Sequence, residues 1–128
     1  MVNGIHHLNF IVRDLEASLP AWERLLGCEA TRRDALPERG VVAARFRLGP
    51  TWLVLVQPTR TDSVPGRFLA EHGEGFFLLS FAVDSLAAEE ERLGEAAFAS
   101  VPRPGADGWQ VRDLAPGPNG AHLQLTEG

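Results

Sequence analysis

The feature that most narrows what this chain can fold into is a repeat within it. Laid without a gap, HLNFIVRDLEA (residues 7–17) and LLSFAVDSLAA (78–88) align Leu8 with Leu79, Phe10 with Phe81, Val12 with Val83, Leu15 with Leu86 and Ala17 with Ala88, and set Asn9 opposite Ser80. ERLLG (23–27) and ERLGE (91–95) follow once about one helical turn is deleted. A supersecondary unit written twice normally cannot close its own core and must lie against its copy. The 128 residues therefore read as one domain built from two modules, about 1–62 and 75–128, with a connector at about 63–74.

Each module reads β-α-β-β(-β). Residues 5–12 carry apolar and β-branched side chains in a run too short for a typical helix, and Asp14 stands where an N-cap would. In the helix that follows, Leu15, Leu19, Trp22, Leu25 and Leu26 fall on one face and Gly27 closes the end. Pro20 requires either a start near Ser18 or a kink, because proline removes a helical N–H. VVAARFRL (41–48) and TWLVLVQP (51–58) read as an antiparallel hairpin about Gly49-Pro50, and 67–73 as a short helix in the connector. The second module shows a strand through Val83, a cap at Asp84 or Ser85, a helix ending near Gly94, and strands at 109–114 and 121–127 around PGPNG, with a weaker one at 97–101. Period-two alternation puts His122, Gln124 and Thr126 on one face of the last strand and Leu123 and Leu125 on the other. Such a polar face must look into a cavity or into water.

Composition excludes several classes. Apolar residues at 45% and charged residues at 23% are ordinary for a globular domain. All twelve basic residues are Arg against seventeen acidic ones, a net charge of −5 that argues against nucleic acid as a partner. No apolar run approaches the roughly 20 residues that span a bilayer, and the first residues lack a signal-peptide pattern, so no membrane association and a cytoplasmic location are expected. The one cysteine, Cys28, has no partner for an internal disulfide or a CxxC zinc site and reads as structural.

IHHLNFIVRDLEASLPAWERLLG, LPERGVVAARFRLGPTWLVLVQP, FLAEHGEGFFLLSFAVDSL and NGAHLQLTE together resemble the vicinal oxygen chelate superfamily of glyoxalases, bleomycin-resistance proteins and dioxygenases, with wording closest to methylmalonyl-CoA epimerase-like members. The resemblance implies an α+β fold in which two βαβββ modules form a cupped, partly closed barrel around a small-molecule cavity, and a homodimer. In metal-using members four side chains hold a divalent ion. The corresponding positions here are His7, Val54, Leu78 and Gln124, two of them aliphatic and one an amide. No cofactor is expected on that count. A divalent metal would rest on His7, with help from His122, Glu38 or a partner subunit.

The resemblance also places Glu38, in PERG, at the acid-base position of epimerase-like members, while its opposite number is Gln124, which cannot take up a proton near neutral pH. His7, Glu38 and Gln124 are the candidate catalytic residues. Asn9, Val54, Leu78, Ser80 and His122 are candidates for the cavity lining, and Phe46, Trp52 and Trp109 for an aromatic wall against a flat ligand, though tryptophans in a small β-rich chain more often fill a core or interface. His6 alternates away from His7, His72 reads as a solvated loop residue, and Glu89-Glu90-Glu91 as a solvated helix face. Two functions compete: a glyoxalase- or epimerase-like lyase or isomerase, and a metal-free binding protein that sequesters a small molecule in an apolar pocket.

Overall fold

The computed structural model describes residues 1–128. The chain runs β1 (Val2–Ile11), α1 (Leu15–Leu26), β2 (Arg32–Leu36), β3 (Val41–Leu48), β4 (Thr51–Pro58), α2 (Val64–His72), β5 (Gly75–Val83), α3 (Leu86–Leu93), β6 (Arg103–Pro104), β7 (Gln110–Asp113) and β8 (Leu123–Glu127). It divides into two compact units, an N-terminal one of Leu8–Phe77 and a C-terminal one of Leu78–Gly128 joined by Met1–His7. The doubled βαβββ order stands. Two strands escaped the sequence reading: β2, whose RRDAL has no apolar alternation, and β6, which is two residues long. The strand expected at 97–101 is instead a 3₁₀ turn at Glu95–Ala97 and a single bridge from Phe98 to Leu114.

In the N-terminal unit, α1 starts at Leu15 because the Asp14 carboxylate accepts the Ala17 N–H at 3.2 Å and Gln57 Oε1 accepts that of Leu15 at 2.8 Å. Pro20 therefore sits inside the helix, and the start near Ser18 is not used. Gly27, at φ 74°, closes it with its N–H on the Glu23 carbonyl. Leu15 and Leu19 are buried against Val12, Ala44, Phe46, Leu53 and Leu55, but Leu25, expected on that face, is 76% exposed. The β3–β4 hairpin pairs Arg45 with Val54, Phe46 with Leu53 and Arg47 with Trp52. Register partners share a face, so one face (Ala44, Phe46, Leu53, Leu55) meets α1 and the other carries Val41, Ala43, Val54 and Val56. Helix α2 starts at Val64, ahead of the expected residue 67, capped by Ser63 Oγ on the Gly66 N–H at 3.0 Å.

In the C-terminal unit, β5 runs parallel to β8, and β7 antiparallel to β8. Helix α3 begins at Leu86 with Ser85 as its cap, and Glu127 Oε1 accepts the Leu86 N–H at 2.7 Å. Its core is Val83, Leu86 and Leu125 with Phe81, Phe98 and Leu114. The acidic run on α3 is not a uniformly solvated face. Glu89 is 2% exposed and held by Arg92 and the Met1 ammonium, each at 2.6 Å. The Arg92 hydrogen bond, then that of the ammonium, hold its carboxyl below the usual range against the opposing effect of burial.

Candidate functional site

The polar face anticipated on the last strand is real and is wider than the strand. Register places Ser80 of β5, Gln124 of β8 and Asp113 of β7 on one rung, so their side chains project from the same face of the C-terminal unit. Arg103 of β6 grips Asp113 through two bonds, Nη1 to Oδ2 at 2.6 Å and Nη2 to Oδ1 at 3.2 Å. Gln124 Nε2 donates to the same Oδ1 at 3.1 Å. Ser80 Oγ donates to the Gln124 backbone carbonyl at 3.3 Å and lies 2.6 Å from Thr126 Oγ1. Burial pushes the Asp113 carboxyl up, but the Arg103 hydrogen bond and charge, the Gln124 amide and the charge of His122 outweigh it, and the group stands below its ordinary value. Gln124 is 2% exposed, and its Oε1 is buried with no hydrogen-bond partner. His122, expected to share this lining, is exposed just before β8 begins.

His7 is buried in this unit, and so is His6, their Nδ1 atoms 2.9 Å apart. Alternation along a strand would part the two rings. Instead both close on Trp109, His7 stacked at 5.1 Å and His6 edge-on at 4.5 Å. The Nδ1 contact holds a single hydrogen between two imidazoles, so one ring is its donor and the other its acceptor, and the tautomer of one sets that of the other. Leu78 is buried.

In the N-terminal unit the expected residues do not gather on one face. Phe46 is fully buried beneath α1, on the opposite side of the hairpin from Trp52, because the two differ by one step in strand parity. No wall joins them. Trp52 instead meets two guanidiniums, Arg45 at 4.7 Å and Arg47 at 4.9 Å from the ring centre. Arg45 is buried and its Nε donates to Asp34 Oδ2 at 2.9 Å. Val54, in register with Arg45, is buried, and Asn9 is half-buried with Oδ1 inside. Glu38 sits exposed on a 3₁₀ turn, Pro37–Arg39, closed by Gly40 in the left-handed region. An open groove beside α1, bordered by Leu15, Glu16, Arg33, Val42 and Gln57, contains none of the residues singled out from sequence.

Sequence reasoning missed Arg103, Asp113, Arg45 and Asp34. Parity in WQVRDL would have put Asp113 beside Val111, but only the pairing of β7 with β8 reveals Gln124 as its neighbour. Of the remaining residues, His72 ends α2 and is exposed, and Cys28 is exposed as well, so it fills no core.

A divalent ion needs about three donors drawn from imidazole, thiolate and carboxylate. The chain has no group of three or more His, Cys, Asp or Glu side chains placed to hold a metal ion. Val54 and Leu78 offer no donor, and Gln124 turns its amide hydrogens to Asp113. The residues present do not fit a chelated metal. No helix is long and apolar enough to cross a membrane.

Comparison with known proteins gives a consistent picture. Residues 6–112 match the model of the Glyoxalase/Bleomycin resistance protein/Dioxygenase superfamily. A variant of Streptomyces coelicolor methylmalonyl-CoA epimerase, in complex with 2-nitronate-propionyl-CoA, superposes with a TM-score of 0.90 at 26% identity, covering 99% of this chain and 98% of that one. The fold is shared as well with methylmalonyl-CoA epimerase from Mycobacterium tuberculosis, with a TM-score of 0.89 at 23% identity over 98% and 88% of the two chains. The uncharacterized protein YqjC of Bacillus subtilis is 25% identical over 98% of this chain and 93% of its own length. The α+β, glyoxalase-like architecture that the resemblance implied is thus the observed one.

Proposed function

This chain belongs to the glyoxalase/bleomycin resistance/dioxygenase superfamily, and on that premise we propose that it is an isomerase-type enzyme moving a proton at the carbon next to the carbonyl of a small acyl thioester. The observation that carries the reading is the buried His6–His7 pair on β1, together with a structural likeness that extends to an epimerase holding an acyl-CoA analogue. His7 takes the proton from the α-carbon, and the pair spreads the resulting charge across the shared Nδ1 hydrogen and the face of Trp109. The C–H electrons pass to the thioester carbonyl as an enolate, and return of a proton to carbon restores the thioester with either configuration. Gln124, in the same unit as His7, belongs to the same proposal as an orienting group. No chelated ion takes part, since the donor set does not support one, and the active species is a homodimer.

Incubation in D2O with a panel of acyl-CoA thioesters tests this by NMR. The expected result is loss of the α-proton signal without added metal and undiminished by EDTA, with His7→Ala slower by about 100-fold or more. An equally fast His7→Ala enzyme would discard the assignment. A second reading, metal-free sequestration of a small molecule, is favoured by the buried aliphatic side chains of Val54 and Leu78. Tight binding of a thioester or flat aromatic compound with no exchange in any member of the panel would establish it instead.

A further inference from the structure

Within the polar strip of the C-terminal unit one acceptor, Gln124 Oε1, is left unmet, and this bears on what that corner can hold. Asp113, ionised and clamped by Arg103, can only accept hydrogen bonds, so the Gln124 NH2 must face it and the amide cannot turn over. Gln124 Oε1 is thereby aimed away from Asp113, buried and without a partner. Beside it, the Ser80 and Thr126 hydroxyls lie 2.6 Å apart and Ser80 Oγ lies 3.3 Å from the Gln124 backbone carbonyl, so neither hydroxyl meets Gln124 Oε1. A buried acceptor left unmet costs roughly 1–3 kcal/mol. An anionic oxygen placed against Gln124 Oε1 would set lone pair against lone pair.

We propose that Gln124 Oε1 is a receptor for a hydrogen-bond donor on the substrate, a hydroxyl or an ammonium N–H, and that Asp113 is the positioning residue that keeps it an acceptor. The inference rests on the thioester reading above and refines it: the acyl group accepted here carries a donor at this corner, unlike the carboxylate of methylmalonyl-CoA. A site built to hydrogen-bond such a group discriminates strongly against the analogue that lacks it.

The test is a binding series by calorimetry with lactoyl-CoA (hydroxyl), β-alanyl-CoA (ammonium), propionyl-CoA (neither) and methylmalonyl-CoA (carboxylate). Wild type is expected to bind lactoyl-CoA or β-alanyl-CoA at least about 10-fold tighter than propionyl-CoA, whichever is tighter identifying the donor, and Gln124→Met to shrink that gap to about 2-fold or less. Should Gln124→Met not fold, Asp113→Asn serves. Its carboxamide can donate, Gln124 can then present its NH2, and methylmalonyl-CoA is expected to gain on lactoyl-CoA, a reversal that loss of structure would not produce. Equal binding of lactoyl-CoA, β-alanyl-CoA and propionyl-CoA, or tightest binding of methylmalonyl-CoA to wild type, overturns the donor receptor even where α-proton exchange is seen. If no thioester binds, it is the thioester reading that fails. The receptor is then judged by NMR with lactamide against propionamide, where a shift of the Gln124 side-chain NH2 signals with lactamide alone supports it and equal or absent shifts overturn it.

Discussion

The two units use one local grammar and put different chemistry on it. In each, the last strand sends a side chain back to the start of the first helix: Gln57 accepts the Leu15 N–H at 2.8 Å and Glu127 the Leu86 N–H at 2.7 Å. Each helix has a polar N-cap, Asp14 or Ser85, and a glycine at its end. The faces turned away from those helices have diverged. On β3 and β4 of the N-terminal unit that face carries Val41, Ala43, Val54 and Val56, interrupted by Arg45, whereas on β5, β7 and β8 of the C-terminal unit it carries Ser80, Gln124, Thr126 and Asp113. Backbone devices that make a helix start and stop are cheap to keep in both copies, while the face not needed for helix packing is where a duplicated module is free to change.

The most forceful way to probe that comparison is to hollow each helix-facing core. Phe46→Ala should lower stability by about 3–5 kcal/mol and Leu125→Ala by about 2–5 kcal/mol in urea denaturation, since both are almost wholly buried. A loss below about 1 kcal/mol in either would mean that its unit is not held together by that core. A smaller effect separates the units by their connection. Gly66 belongs to α2, which has no counterpart in the C-terminal unit, and a Cβ there would lie 2.2 Å from the Arg60 carbonyl oxygen. Gly66→Ala should cost about 1–3 kcal/mol, read as a fall in Tm, and an unchanged Tm would show that the Arg60–Ser63 turn yields freely.

The polar face sharpens the contrast through pH. Asp113 has a folded-state pKa below its ordinary 3.8, so its contribution is complete above that value and is lost as pH falls through it toward the lowered one. Wild type should lose stability over Asp113→Asn in acid, below pH of about 4. Parallel stability curves for the two proteins across that range would contradict the Arg103 clamp. Last comes the shared device: Gln57→Ala and Glu127→Ala should each cost about 1 kcal/mol, by the same denaturation measurement, and a cost in only one unit would show that the two helix starts are not equivalent.

Much of the fold was legible in the residues. The alignment of 7–17 on 78–88, the cap at Asp14, a second cap at Asp84 or Ser85, and the glycines at 27 and 94 act within a few residues of where they stand, so spacing and residue type suffice to read them, and the structure selects Ser85. The candidate site was legible in outline only. Parity placed Gln124 and Thr126 on a polar face, whereas grouping Phe46 with Trp52 by aromatic character alone ignored which face of β3 meets α1. The run EEE looked solvated because nothing local shows that Arg92 and the distant Met1 ammonium enclose Glu89.

By itself, then, the sequence determined that a strand, a helix and further strands are written twice and where each helix closes on a glycine, while the resemblance it carries implied the full βαβββ modules and a set of metal positions in which only His7 is an imidazole. Tertiary structure alone decided that His6 joins His7 over Trp109, and that Asp113 and Arg103 lock the Gln124 amide with its oxygen turned away. The physical reason is range. Capping and alternation are contacts between near neighbours in the chain, whereas the orientation of a buried amide depends on strands that meet only after the chain has folded.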